Sequence, residues 1–219
     1  MNKVNYSLWL EDKLTELKAS GTRPTLLLHA CCAPCSSYVL EYLAEYFDIT
    51  VFFYNPNISP KSEYIFRAEE LQRLLSQMPL KSEVKLIVDN YVPEEFEKIS
   101  RGKEDLEEGG ARCYDCYSLR LNATAKKASS LGTDFFCTTL SISPYKNAEW
   151  LNEIGKQCAD TYGVGYLFSD FKKKNGYKRS CDLSKIFSLY RQDYCGCIFS
   201  KEAAEKRNIQ KRELKQEQR

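Results

Sequence analysis

The chain has little that would take it into a membrane and little that would divide it. Within its 219 residues no apolar run approaches the roughly 18–20 residues of a membrane span, so no membrane partner is expected. The opening "MNKVNYSLWLEDKLTELKAS" is charged and amphipathic, without the unbroken apolar core of a secretory signal. A cytoplasmic location is therefore expected. No internal repeat or low-complexity linker is visible, which predicts one α/β domain over residues 1–200. Its first 20 or so residues read as a peripheral helix, and residues 201–219 as a charged tail, helical or disordered. Histidine occurs once, as His29.

Cysteine, by contrast, is plentiful, with ten in the chain. In a secreted protein an even number suggests a disulfide framework. A chain of this length, however, buries a core without covalent staples, and in a reducing compartment clustered cysteines are metal ligands or redox-active groups. Their spacing is uneven: Cys31-Cys32-x-x-Cys35, then Cys113-x-x-Cys116, then Cys195-x-Cys197. Cys137, Cys158 and Cys181 stand alone and read as small apolar side chains in or near the core.

The hydrophobic pattern places these groups. "TLLLHA" (25–30) reads as a strand buried on both faces, ending at the first cysteines, after which "SSYVLEYLAEYF" has helical spacing. Further strands are expected at "ITVFFYN" (49–55), "EVKLIVD" (83–89), "DFFCTTL" (134–140) and "VGYLFSD" (164–170). Helices are expected at 62–77, from Pro93 to Arg101, from Tyr117 to Gly132, and over 146–163. Strands alternating with helices predict a mostly parallel sheet of about five strands flanked by helices, Rossmann-like, with a cysteine-bearing C-terminal extension. Ligands of such sheets bind beyond the strand carboxyl ends. "HACC", "YNPN" and "TTLSISPY" should meet there.

Three chemistries remain open for the cysteines. Cys32 and Cys35 form a C-x-x-C on a strand-to-helix turn, where a helix N-terminus activates a thiol; that suits a thiol–disulfide oxidoreductase but leaves Cys31, Cys113 and Cys116 unexplained. A structural zinc in an RNA-binding domain uses paired cysteines, although adjacent Cys31 and Cys32 diverge unless the backbone turns sharply. An iron–sulfur cluster spreads its irons over the corners of a cube, so two separate segments can each supply a pair. Cys31, Cys32, Cys113 and Cys116 make the best such quartet, leaving Cys35 free. In "YRQDYCGC", Cys195 and Cys197 would close a small, strained and labile ring, a profile that suits a redox-active pair. His29 reads as core or as a partner to the site rather than a ligand. Residues 172–191 carry seven basic residues and one acid, with aromatics interleaved. A polyanion contact through Lys172, Lys173, Lys174, Lys178 and Arg179 is one reading of that stretch, a solvated surface the other.

"LLLHACCAPC", "FYNPNISPKSEYIFR", "ARCYDCYSLRL", "TTLSISPYKN" and "YRQDYCGCIFS", in that order over residues 25–200, resemble the QueH-type epoxyqueuosine reductases. The resemblance implies a parallel sheet of the adenosine-nucleotide α-hydrolase-like group, here without that group's glycine loop after the first strand. It implies reduction of the epoxide of epoxyqueuosine to queuosine at the wobble position of tRNA, without cobalamin. It further implies a 4Fe–4S cluster on Cys31, Cys32, Cys113 and Cys116, a redox-active Cys195/Cys197 pair, and an external electron donor. Cys35 would then face the same site, free to bind a second, mononuclear iron. Tyr145, Asp193 and Tyr194 are candidate proton donors by position, and Tyr145 is also a candidate tRNA contact.

Overall fold

Side-chain alternation along one short strand organises the protein. The computed structural model describes residues 4–217. In chain order the elements are α1 (Tyr6–Ser20), β1 (Thr25–His29), α2 (Ala33–Leu43), β2 (Asp48–Phe53), α3 (Lys61–Gln77), β3 (Lys85–Val88), α4 (Pro93–Ser100), α5 (Ala111–Leu131), β4 (Phe135–Thr138), a 3-10 turn (Thr139–Ile142), α6 (Ala148–Tyr162), β5 (Gly165–Tyr166), α7 (Gly176–Ile186) and α8 (Ile198–Glu217). Leu26 and Leu28 of β1 point to one side of the sheet, into a core shared with α1, α2 and α3; Leu27 points to the other, against α5 and α6. Val51 and Phe53 repeat the first direction and Phe52 the second. With both faces covered, the strands carry almost unbroken apolar runs, as buried parallel strands do.

The sheet is all parallel, in the order β3-β2-β1-β4-β5. Chain order therefore reverses between β1 and β4, where Leu26 to His29 pair with Phe135 to Thr138. The crossovers leave opposite faces there, which opens a crevice at the carboxyl ends. The α/β class, five parallel strands and flanking helices agree with the sequence reading.

Several boundaries differ. The fourth strand stops at Thr138 and tightens into the 3-10 turn, with Thr138 accepting a hydrogen bond from Leu140 N. The fifth keeps only Gly165 and Tyr166 in the ladder. Helix α5 begins at Ala111, not Tyr117, because Gly110 closes the acidic loop and its carbonyl takes the first helical bond from Cys113 N; Cys113 and Cys116 thus share one helical face, three residues apart. Residues 176–186, read only as a basic stretch, form α7 against α2. Helix α8 runs through position 200 without a break. No helix among the described residues is long and apolar enough to cross a membrane.

On the second face, α6 approaches β5 at Gly155. A Cβ built there would fall 2.2 Å from the ring of buried Tyr166, whose hydroxyl donates to Leu151 O at 3.1 Å. Gly155→Ala is therefore expected to destabilise the fold by about 1–3 kcal/mol, the usual cost of overpacking. In urea the midpoint should fall with the slope unchanged.

Candidate redox centre

The site grows from the end of β1. Ala30 N bonds to Phe52 O at 2.9 Å, and Asn55 Nδ2 donates to Ala30 O at 2.9 Å, so the chain leaves the sheet in a fixed direction. Cys32 then caps α2 in extended backbone, and Pro34 sits in the first turn, where its missing N–H costs nothing. This sharp change of direction brings adjacent side chains together: Cys31 Sγ lies 3.7 Å from Cys32 Sγ and 3.8 Å from Thr139 Oγ1. The sulfurs of Cys31, Cys32 and Cys35 all fall within 4.8 Å of one another, close enough to hold one metal ion. Hydrogen bonds from Cys31 and Cys35 hold the Cys32 thiol well below its usual range, and those Cys35 makes to Cys31 and Cys32 push Cys35 up.

A second sulfur group lies beside α5. Cys113, Cys116, Cys195 and Cys197 line one narrow cavity with Phe96 and Tyr117. Gly109 N donates to Cys113 Sγ at 3.2 Å, and burial pushes Cys116 up to about 12. Cys195 and Cys197 are both free thiols. Their segment is pinned by Ser59 N donating to Gly196 O at 2.9 Å and Arg67 Nη1 donating to Cys195 O at 3.1 Å.

Arg67 and Arg120, only 2% and 1% exposed, stand among these sulfurs. Arg120 bonds to Asn55 Oδ1 at 3.3 Å and Cys116 O at 3.4 Å; Arg67 bonds to Glu63 Oε1 at 2.7 Å. Burial opposes both charges, yet Cys116, Cys195 and Cys31 keep Arg120 protonated, while Cys32 and Glu63 do the same for Arg67. Both sulfur groups are therefore within electrostatic reach of one guanidinium. One Nη2 of each arginine and Asn57 Oδ1 are buried without a hydrogen-bond partner. Native interiors rarely leave such groups unpaired, and a missing ligand is one standard reason.

His29 is fully buried, and burial lowers it to about 4. Its Nε2 donates to Tyr54 O at 3.1 Å, so Nδ1 accepts from the Thr138 hydroxyl at 2.9 Å. Both ring nitrogens are thus engaged in anchoring the strand ends.

The basic stretch is less free than its composition suggests. Lys172 pairs with Asp170 at 2.8 Å, Lys174 with Glu11, and Arg179 with both oxygens of Glu41 at 2.6 and 2.9 Å. Lys173 and Lys178 are exposed and make no ion pair among the described residues. Tyr145 is 80% exposed, Tyr194 lies with its ring 5.2 Å from the Arg67 guanidinium, and Asp193 accepts from Asn208 Nδ2 at 2.9 Å. Cys137 and Cys158 are buried in the core, and Cys181 is half-buried. Sequence reasoning passed over Arg67, Arg120 and Lys146, although all three lie within the motifs quoted above. Lys146 Nζ donates to Cys195 Sγ at 3.0 Å.

A family model described as epoxyqueuosine reductase QueH matches residues 26–203. The chain belongs to the QueH family. It is 44% identical over 200 residues to a Streptococcus pyogenes serotype M1 protein named epoxyqueuosine reductase QueH, covering 90% of this chain and 78% of that one. A Staphylococcus epidermidis QueH is 43% identical over 202 residues, 90% of this chain and 85% of its own. The Thermotoga maritima QueH is 39% identical over 179 residues, 80% of this chain and 90% of its own.

Gly196 joins the two sulfurs of the last pair at φ +127°, and a Cβ there would lie 3.0 Å from Ile58 Cγ1 and 3.1 Å from Arg67 Nη1. Gly196→Ala should lift this segment at a cost of about 1–3 kcal/mol in backbone strain. The buried Cys197 thiol should then alkylate faster while the far-ultraviolet circular dichroism is unchanged. An unaltered labelling rate would show that the segment is not held by this contact.

Proposed function

We propose that this QueH-family chain reduces the epoxide of epoxyqueuosine to queuosine at the wobble position of tRNA. The observation that carries the reading is that two buried arginines with unpartnered N–H groups stand within electrostatic reach of all three cysteine segments, Arg120 of Cys31, Cys116 and Cys195, and Arg67 of Cys32, near the sheet's switch point. Cys31, Cys32, Cys113 and Cys116 are the residues that would hold a 4Fe–4S cluster. An all-sulfur donor set suits iron–sulfide chemistry, and the orphaned nitrogens of Arg67 and Arg120 suit an anionic group. Cys35, within reach of Cys31 and Cys32, would hold a second, mononuclear iron. When bound, these groups supply single-electron transfer and Lewis acidity toward the epoxide oxygen.

The chain's own residues supply the rest. Epoxide reduction takes two electrons and two protons, leaving an alkene and water. Oxidation of the Cys195/Cys197 pair to a disulfide supplies the two electrons, and the protons come from whatever thiol the pair keeps protonated and from solvent admitted to the cavity. An external donor then restores the dithiol. Phe96 and Tyr117 line the cavity and limit water beside the sulfurs. Lys173 and Lys178 would contact tRNA phosphates, and exposed Tyr145 offers a ring on which an unstacked base can lie.

Anaerobically purified protein should be brown, with about four irons and matching sulfide per chain from the cluster. Cys113→Ala should lose both colour and turnover of epoxyqueuosine-containing tRNA. Cys195→Ser should keep the colour and lose turnover. A colourless, zinc-only protein after anaerobic reconstitution would favour a zinc-bound RNA-binding domain. Full protein-disulfide exchange by the Cys113→Ala chain would favour an oxidoreductase using Cys32 and Cys35.

Replacing Lys173 and Lys178 together with alanine should flatten the slope of log affinity against log salt by about 1.4, two single-strand phosphate contacts at roughly 0.7 each. Arg179→Ala should change it less, because its charge is already held by Glu41. A double variant with the parent slope would remove this surface from the tRNA contact.

A further inference from the structure

The two sulfurs of the C-terminal pair sit in unlike surroundings. Cys197 Sγ is buried and partnered by one residue, lying 3.3 Å from Ser200 Oγ and accepting from Ser200 N at 3.4 Å. Cys195 Sγ is half-buried and meets a cation, Lys146 Nζ, at 3.0 Å. Lys146 arrives from the turn between β4 and α6, a different part of the chain, and is half-buried. Cys195 Sγ is the one hydrogen-bond acceptor recorded for its ammonium among the described residues, and Tyr117 presents its ring 5.9 Å away. An ammonium held 3.0 Å from a sulfur favours the anionic form of that sulfur, and thiolate is the form in which Cys195 completes the pair. The charged or titratable groups around this contact are Arg112, Cys113, Cys116, Tyr117 and Arg120 on α5, Glu108 just before it, and Cys197, all lining the same cavity as Cys195. Arg120 is cationic and adds to the field that favours thiolate; Tyr117 is held neutral by burial.

We infer that Lys146 is the positioning residue of the Cys195/Cys197 pair, holding Cys195 as the thiolate and leaving Cys197 as the protonated partner. This rests on the reading of the pair as the redox dithiol. The half-reaction is then Cys195 thiolate plus Cys197 thiol giving the disulfide, two electrons and one proton, while Lys146 keeps its own protons throughout. Attack in thiol–disulfide exchange comes from the thiolate, so Cys195 is the sulfur that acts first when the reduced pair meets an oxidised partner. A cation that stabilises the reduced pair also makes the disulfide more readily reduced, as in oxidoreductases whose reduced form is stabilised. The external donor therefore faces an easier task than a neutral surrounding would set.

The test uses the full-length, anaerobically prepared protein with iron content measured alongside. Iodoacetamide labelling of Cys195 is followed by peptide mass spectrometry from pH 5 to 10, and the pair is equilibrated with glutathione buffers. Lys146→Met should slow Cys195 labelling at pH 7 about tenfold and move its midpoint upward, with Cys197 labelling little changed. Its disulfide should become about tenfold harder to reduce, a shift of about 30 mV to lower potential for a two-electron couple. Lys146→Arg should restore most of both. Lys146→Gln gives the same readouts if the methionine variant folds poorly. Parent-like pH profile and potential in Lys146→Met would overturn the assignment, as would failure of arginine to rescue either. Both measurements are made without epoxyqueuosine. A chain that fails to reduce that substrate can thus still carry the Lys146–Cys195 pair, and a chain that lacks the pair can still be a reductase.

Discussion

Burying a guanidinium removes it from water at a cost of several kcal/mol unless anions or acceptors surround it, and this chain buries two at one place. Arg67 comes from α3 and reaches the carbonyl of Cys195; Arg120 comes from α5 and reaches Asn55 after β2. Between them they join the second strand end, the long helix that carries Cys113 and Cys116, and the C-terminal segment with Cys195 and Cys197. Each arginine keeps one nitrogen without an acceptor, so protein atoms alone do not complete the arrangement. Thiolates, and an anionic centre built on them, are what such a pair of cations is suited to hold. The cysteines and the arginines therefore share one electrostatic environment.

The sheet makes this placement possible. Because β1 is central and β4 follows it across the switch point, the loop after β1 and the turn after β4 open on the same crevice. Cys31 consequently meets Thr139, and His29 ties β1 to Thr138 on one side and Tyr54 on the other. A charged imidazole would disrupt this junction, and deep burial keeps His29 neutral. The strand ends are thus rigid before any sulfur chemistry begins, which fits the need to hold reacting groups in a set geometry.

The parts legible in the sequence were those written in local pattern. Two-sided burial leaves continuous apolar runs such as "TLLLHA", and sulfur clusters are visible by residue type alone. The start of α5 was missed because "GKEDLEEGGAR" carries loop composition up to the glycine that begins the helix. Arg67 and Arg120 were passed over for a different reason: on an amphipathic helix a charge ordinarily faces water, and nothing local distinguishes the rare one that turns inward. The basic stretch over 172–191 hides its pairing in the same way, since Glu11 and Glu41 hold Lys174 and Arg179 from more than a hundred residues away. Charge partners are a tertiary property, and residue counts in a window do not contain them.

The close spacing of Cys195 and Cys197 also limits how the site can store charge. Two thiolates one residue apart in a covered cavity repel each other, so a second ionisation is disfavoured while the first persists. One cation is then enough, and it stands beside Cys195 while Ser200 serves Cys197. With Cys195 as thiolate, such a pair would carry two electrons but only one proton. Loss of the epoxide oxygen as water consumes two, so the remaining proton must come from a group outside the pair or from solvent admitted to the cavity. A redox role for the pair would therefore ask for a narrow opening rather than a sealed core, and such a cavity lies between Cys113, Cys116 and the C-terminal cysteines.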